Sequence, residues 1–321
     1  MFKKKALIMG VVLVMVVSLL ALAGCGGNNG NSNANTDDDK FVIGLSMEAL
    51  VDFMAYVADG FQEYADENDD VDVIVVDANY DVATQLGQVE NFISQGVDAI
   101  VIKAVDRDAT QAMSDAAKAA GIPFLAVNIE VGSDRDAYVG SDHEYSGVLQ
   151  AEYVAELLDG EGRVAILMGD PSHDAARERT DGNKDVFANF PGIEVVAEQS
   201  GYWQRDRGME VAENWIQAGL EVDAVLGNND AMVIGAMLAF EQAGVADGVV
   251  FAGIDAIEDA LNLMNEGRMH VTVFQNGFAQ GYGAAEAAHQ ILQGESVPSY
   301  VDIPYELIPP ERADEILAEF Y

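Results

Sequence analysis

The chain has 321 residues, half of them hydrophobic, and its 55 acidic residues against 16 basic ones give a net charge of −39. That length and apolar content suffice for one large or two medium cores, while a field of that sign repels phosphates and makes nucleic acid and anionic membrane surfaces poor partners. A single cysteine, Cys25, excludes an internal disulfide and a cysteine-based metal site.

The first stretch is set apart from the rest. Lys3, Lys4 and Lys5 precede an apolar run from Ala6 to Ala23, broken only by Gly10 and Ser18. By length alone that run suits a transmembrane helix. It ends, however, in Leu22-Ala23-Gly24-Cys25, which resembles the lipobox of bacterial lipoproteins, where the signal peptide is cut before the cysteine and the cysteine is acylated. The expectation is a signal peptide over 1–24, lipidation of Cys25 and a Gly/Asn/Asp-rich flexible tether over 25–40, with the folded part held outside the cytoplasmic membrane. Removing the signal takes three lysines and leaves 13 basic against 55 acidic residues, a net of −42. The acids are scattered, which fits a solvated acidic surface or adaptation to high salt.

From Phe41 onward the pattern alternates apolar strand and amphipathic helix. The strand-like runs are Phe41–Met47, Val71–Ala78, Val97–Lys103, Ile122–Asn128 and the short Ala137–Val139, separated by helices near 52–68, 82–95 and 108–120. After a helix over 145–158 the alternation restarts, with strands at Gly162–Gly169, Ile193–Ser200, Val222–Leu226, Val249–Ile254 and Met269–Gln275. The last long helix is expected over 278–292, then an extended, proline-bearing tail and a terminal helix over 312–320. Such repetition with short loops implies a parallel, doubly wound α/β sheet. The two halves also match in kind: each runs strand, polar loop, helix, glycine and a VDA strand, at Val97–Ala99 and again at Val222–Ala224. A duplicated unit implies two lobes whose strand ends face one cleft, where ligand binds in open α/β sheets.

The residues just after each strand are polar or aromatic. They include Met47-Glu48, Asp77–Asn79, Asn128–Glu130, Asp170–His173, Gly201–Trp203, Asn228–Asp230, Asp255 and Gln275-Asn276. Each alone suits turn chemistry or helix capping; eight such rims together indicate a binding cleft. Asp77, Asp170, Asp230 and Asp255 each suit a helix cap. No GxxxxGK[ST], no GxGxxG opening the first helix and no GxSxG elbow is present. The four histidines (His143, His173, His270, His289) lie far apart, so no metal, no cofactor and no catalytic residue is expected, with His270 and His289 structural.

Five segments carry a clear resemblance: AARERTDG (175–182), YWQRDRG (202–208), GNNDAMVIGAMLAFEQAG (227–244), FAGIDAIEDAL (251–261) and VTVFQNGFAQGYGA (271–284). With them the chain, from about Phe41 to Pro309, resembles the periplasmic-type sugar-binding proteins of the ribose-binding (type I) family, which supply solute to ABC transporters. The resemblance implies two Rossmann-like lobes joined by a three-strand hinge, with crossings near Gly140–Asp142, Gln275–Gly277 and Val301–Pro304. The lobes would be 41–141 plus 276–302 and 142–275 plus 303–321.

It also implies pocket roles. Phe53 and Trp203 match the aromatics that sandwich a sugar ring, and Arg177 matches the arginine that forks onto vicinal oxygens. Asn229, Asp255 and Gln275 match the groups that bond hydroxyls, which leaves Asp230 as a cap for the helix that follows and Lys103 and Asp106 as hinge-side rim rather than pocket. Asn128-Ile129 stands where ribose binders carry Asp-Arg, and Met54 where they carry a second aromatic. Strict ribose specificity is therefore not expected; hexose, deoxysugar, polyol, inositol or a furanosyl signal stay open. Met47, Glu48, Glu130 and His173 are further candidates at the same rim. The implied partners are a sugar or polyol and the permease of an ABC transporter, or alternatively a membrane receptor in a sensory role, with the protein monomeric. A transcription regulator of the same fold would need a helix-turn-helix and a basic face, and a hydrolase would need a catalytic pair that no spacing singles out.

Overall fold

The computed structural model describes residues 40–51 and 53–320. Cys25, the apolar run before it and the tether up to residue 39 lie outside the described residues. The chain runs β1 (Phe41–Met47), α1 (Phe53–Glu67), β2 (Val71–Asp77), α2 (Val82–Gln95), β3 (Ala99–Ile102), α3 (Gln111–Ala120), β4 (Phe124–Val127) and β5 (Ala137–Gly140). It continues with α4 (His143–Leu157), β6 (Glu161–Met168), α5 (Asp174–Phe187), β7 (Gly192–Ser200), α6 (Arg205–Gln217), β8 (Ala224–Gly227), α7 (Asp230–Ala243), β9 (Val250–Ala252) and α8 (Glu258–Asn265). Then come β10 (Thr272–Phe274), α9 (Gly277–Leu292), β11 (Tyr300–Asp302), β12 (Glu306–Ile308) and α10 (Ala313–Phe320).

The first sheet has the order β11-β5-β4-β3-β1-β2 and the second β7-β6-β8-β9, all of it parallel. Strands β3, β4, β5 and β8 are buried at every position, as continuous apolar runs between two helix layers should be. Apolar clusters fill both faces of each sheet. The extended tail holds two strands that its prolines obscured. β11 joins the edge of the first sheet, and β12 pairs antiparallel with β10 beside the second.

Two features of this topology place the site. In the first sheet β1 is followed by β2 on one side and β3 on the other, so strand order reverses between β1 and β3. In the second it reverses between β6 and β8. Loops at such switch points part, leaving a crevice at the strand carboxyl ends. Second, α4 and α5 pack so closely that a Cβ on Gly147 would lie 2.1 Å from the Arg179 carbonyl oxygen. The missing side chain sets the depth at which Arg179 is carried.

Backbone strain gathers at the same ends. Asn128, Tyr202, Trp203, Asp255 and Ala256 all have positive φ, the last three at 67°, 121° and 56°. For non-glycine residues such φ values are uncommon and cluster at functional loops.

Candidate functional site

A cavity of about 1090 Å³ opens where the carboxyl ends of the two sheets face each other. The first-sheet side contributes Glu48 after β1, Phe53 and Met54 from the start of α1, Lys103 after β3 and Asn128 after β4. The second-sheet side contributes Arg179 from α5, Trp203 after β7, Asn229 after β8, Asp255 after β9 and Gln275 after β10.

Arg179 is the centre of the second wall. Its side chain is 4% exposed, its Nη2 donates to Gln275 Oε1 (2.8 Å) and to the Tyr305 hydroxyl (2.6 Å), and its Nη1 donates to the Asn228 carbonyl. Asp255 lies 3.6 Å from the guanidinium, and the rings of Trp203 and Tyr305 lie 5.8 and 5.5 Å from Cζ, within cation–π range. The Nε of Arg179 has no hydrogen-bond partner among the described residues. A buried donor left unmatched costs roughly 1–3 kcal/mol, which an added acceptor would recover.

The sequence points to Arg177, and here the structure differs. Arg177 is half-exposed and binds Asp174 and the Pro171 carbonyl outside the cavity. The reason is helical phase. Two residues along a helix turn the side chain by about 200°. Ala176, Thr180 and Asn183 are buried on the face that carries Arg179, while Arg177 falls with the exposed Asp181 and Lys184.

Burial pushes the Asp255 carboxyl up to about 8, against the opposing pull of Arg179. Asp230 behaves similarly, rising to about 7 through burial although the Thr272 hydroxyl (2.7 Å) and the Ile257 amide (3.0 Å) donate to it. Asp230 is thus an internal brace and not the helix cap. The cap of α7 is Asn229, whose Oδ1 accepts from the Met232 amide (3.1 Å) while its Nδ2 donates to the Trp203 carbonyl (3.1 Å). Asn229 lines the cavity and also fixes the loop that carries the tryptophan. The asparagine wins the cap position because its backbone is extended, with φ −148°, and Asp230 already has helical geometry.

Trp203 lies over Gly169, where a Cβ would come within 2.2 Å of the indole, and its Nε1 donates to His173 Nδ1 (3.1 Å). Phe53 on the opposite wall packs against Gly277, the first residue of α9. Burial lowers the pKa of His173.

On the first-sheet side, Glu48 and Lys103 form an ion pair with side chains only 6% and 5% exposed, at the switch point between β1 and β3. Lys103 is therefore part of the cavity wall and not the hinge-side rim expected for it. Asp106 stays outside the wall, capping the turn after β3. Met47 does not reach the cavity. It is fully buried in the core beneath β1, because side chains alternate across a strand and Glu48 takes the outward position. Glu130 is at the rim with its carboxylate bound by Arg135, a base that no motif pointed to. Asn128 donates to Gln280 (2.8 Å), Gln280 donates to Ser141 (2.7 Å) and Ser141 donates to the Ile303 carbonyl (2.5 Å).

Two contributors escaped the sequence reading: His143 at the start of α4 and Tyr305 between β11 and β12. The Tyr305 hydroxyl, which accepts from Arg179, lies 2.7 Å from His143 Nδ1. Burial, aided by the nearby Arg179, lowers His143 to about 3, so its ring is neutral and Nδ1 can accept. His270 and His289 are structural: His270 Nδ1 accepts from the Phe251 amide, and His289 Nδ1 pairs with the Tyr64 hydroxyl (2.9 Å). Among the described residues no group of three or more metal-ligating side chains converges, and no helix is long and apolar enough to cross a membrane.

An α/β fold with two parallel sheets and a polar, aromatic-walled cavity at their carboxyl ends defines a ligand-binding protein of the periplasmic type. Residues 43–296 match the family model described as periplasmic binding protein domain, and the chain belongs to that family, whose members bind solutes and are not enzymes. It is 44% identical over 287 residues to a Rhizobium meliloti protein that carries the provisional name of rhizopine-binding protein, covering 87% of this chain and 92% of that one. The ribose import binding protein of Bacillus subtilis is 32% identical over 84% of this chain and 87% of its own length. An ABC transporter solute-binding protein of Bacillus halodurans, solved with bound myo-inositol, superposes with a TM-score of 0.84 at 41% identity, covering 89% of this chain and all of the other. The likeness places the chain among ribose-binding-type periplasmic binding proteins with the type I fold.

Proposed function

We propose that the protein is a lipid-anchored, extracytoplasmic solute-binding protein that captures a neutral cyclic polyol or sugar between two lobes and delivers it to an ABC importer. The lobes are 41–141 plus 276–302 and 142–275 plus 303–321, and Cys25 carries the anchoring lipid. The observation that carries this reading is the convergence of a buried Arg179–Asp255 pair with the Phe53 and Trp203 rings on one cavity. Ring faces stack on the C–H groups of a sugar or cyclitol, while the charged pair and the amides of Gln275 and Asn229 take its hydroxyls.

Charge balance favours a neutral ligand. Arg179 faces Asp255 and Lys103 faces Glu48, so each buried cation of the cavity already has a carboxylate beside it and neither is set aside for an anionic ligand. The bound myo-inositol of the Bacillus halodurans relative and the ribose named for the Bacillus subtilis one support this class of ligand. Binding would then draw the lobes together by hinge motion, with the closed form docking on the permease. The test is calorimetric titration with myo-inositol, xylitol, D-ribose and D-allose. Dissociation constants of about micromolar or tighter for at least one are expected; absence of binding to all four would count against this reading.

A further inference from the structure

The main cavity has a neighbour that the ring-binding reading leaves unused. An outer pocket of about 730 Å³ adjoins it and shares Glu48, Tyr80, Arg107, His173, Tyr202 and Trp203 with it. Its volume lies within the roughly 300–1000 Å³ range of small-molecule sites. The stacked Trp203–His173 pair, with ring centroids 6.2 Å apart, forms the partition, so the same side chains face a ligand in the main cavity and anything lodged outside it.

The outer pocket is built and polar. Gln199 comes from the edge strand β7 and Asn214 from α6, and Arg207 of α6 is held by Glu210 (2.8 Å). At the shared mouth stand two large rings, Tyr80 from the first-sheet side and Tyr202 from the second, 56% and 52% exposed. Both have left-handed backbones, with φ 59° and 51°. That conformation is disfavoured for bulky residues and persists where surrounding structure enforces it, typically at ligand clamps. The pocket is more than the gap of an unclosed cleft. Arg107 of the first-sheet side, which lines both spaces, is ion-paired with Asp174 at the head of α5, joining the two sides at that point.

Amides, the Arg107–Asp174 and Arg207–Glu210 pairs, two carboxylates already bonded within their own turns (Asp106 and Asp170), and exposed aromatic faces suit one chemistry: a second neutral, hydroxyl-rich ring. We propose that the outer pocket is a glycosyl subsite, so that the protein takes a ring polyol or sugar bearing an O-linked sugar, with the first ring in the main cavity and the second between Tyr80, Tyr202 and α6. This rests on the proposed capture of a neutral ring.

The experiment compares myo-inositol with its α-galactoside, galactinol, by calorimetry on the detergent-solubilised full chain and on Gln199→Trp and Asn214→Trp. Both positions line only the outer pocket and are exposed, so tryptophan there fills the subsite without disturbing the core. Galactinol should bind the wild type at least as tightly as myo-inositol. Each variant should weaken galactinol by about tenfold or more and leave myo-inositol within about twofold. Galactinol binding about tenfold weaker than myo-inositol, or variants that leave galactinol unaffected, would overturn the subsite while the ring-binding reading stands. Binding of neither compound would overturn the glycosyl subsite for an inositol ring, while the ring-binding reading falls only if xylitol, D-ribose and D-allose also fail to bind.

Discussion

The two walls of the cavity are unlike in how their charges are satisfied. The first-sheet wall closes its own account: Glu48 and Lys103 neutralise each other, Asn128 is tied to Gln280, Glu130 to Arg135, and what remains for a ligand is largely the apolar surface of Phe53 and Met54. The second wall is held short of completion. Arg179 is buried with an unmatched Nε, Asp255 is pushed up to about 8, and both are placed by strained or glycine-relieved backbone. A wall satisfied by itself supplies shape; a wall that needs further partners supplies affinity and specificity.

The sharpest way to break that contrast is Arg179→Ala. It removes every bond to Gln275, Tyr305 and Asp255 at once and should lower ligand affinity by about a hundredfold or more, since bonds to buried charges contribute about 1.5–3 kcal/mol each. Arg179→Lys, which keeps the charge but not the fork, should still lose about tenfold, with thermal melting reporting whether the fold is retained.

Asp255→Asn should cost about tenfold in affinity at pH 8. It should also remove a pH dependence. Hydroxyl donors from the ligand favour the carboxylate, so binding lowers the Asp255 pKa from about 8 and the complex holds fewer protons than the free protein. Affinity of the wild type should therefore rise between about pH 6 and 8, with proton release visible in buffers of different ionisation enthalpy. Asp255→Asn should show neither.

Trp203→Ala should weaken binding by about three- to tenfold through lost stacking, a loss comparable with that of an aromatic pair. For His143 the readout is stability. Its folded pKa of about 3 lies below the ordinary 6.5, so the unfolded chain binds the extra proton between those values. The contribution is fully present above 6.5 and is lost as pH falls toward 3, with a slope of up to about 1.4 kcal/mol per pH unit. Urea unfolding of His143→Gln should show a shallower acid limb than the wild type. The smallest effect belongs to Arg177→Ala, which removes an exposed pair and should leave affinity within about twofold.

Much of this molecule was legible from residue order. The strand and helix sequence and the helix ends before Gly96 and Gly121 follow from period and glycine position, and Trp203, Asp255 and Gln275 at one cavity from strand-end polarity, whereas Phe53 at that cavity comes from the family resemblance alone. The misses share a cause, which is that sequence gives position along an element more readily than direction around it. Arg177 and Arg179 differ only in helical phase, and the buried companions Ala176, Thr180 and Asn183 were the available signal. Met47 and Glu48 differ by one step of strand alternation. Asn229 and Asp230 differ by whether the backbone is still extended or already helical. Tyr305 and His143 meet across 162 residues, a pairing that no local pattern encodes. Strands β11 and β12 hid in a proline-bearing tail because each is only three residues long.

The central claim is that a neutral ring is gripped by the second wall and covered by the first. A crystal structure with the tightest-binding ring of the titration panel tests it most directly. The ring should lie between Phe53 and Trp203, with its oxygens about 3 Å from Arg179, Asp255 and Gln275. A ring bound elsewhere, or one held by Arg177 with the Arg179–Asp255 pair untouched, would contradict it.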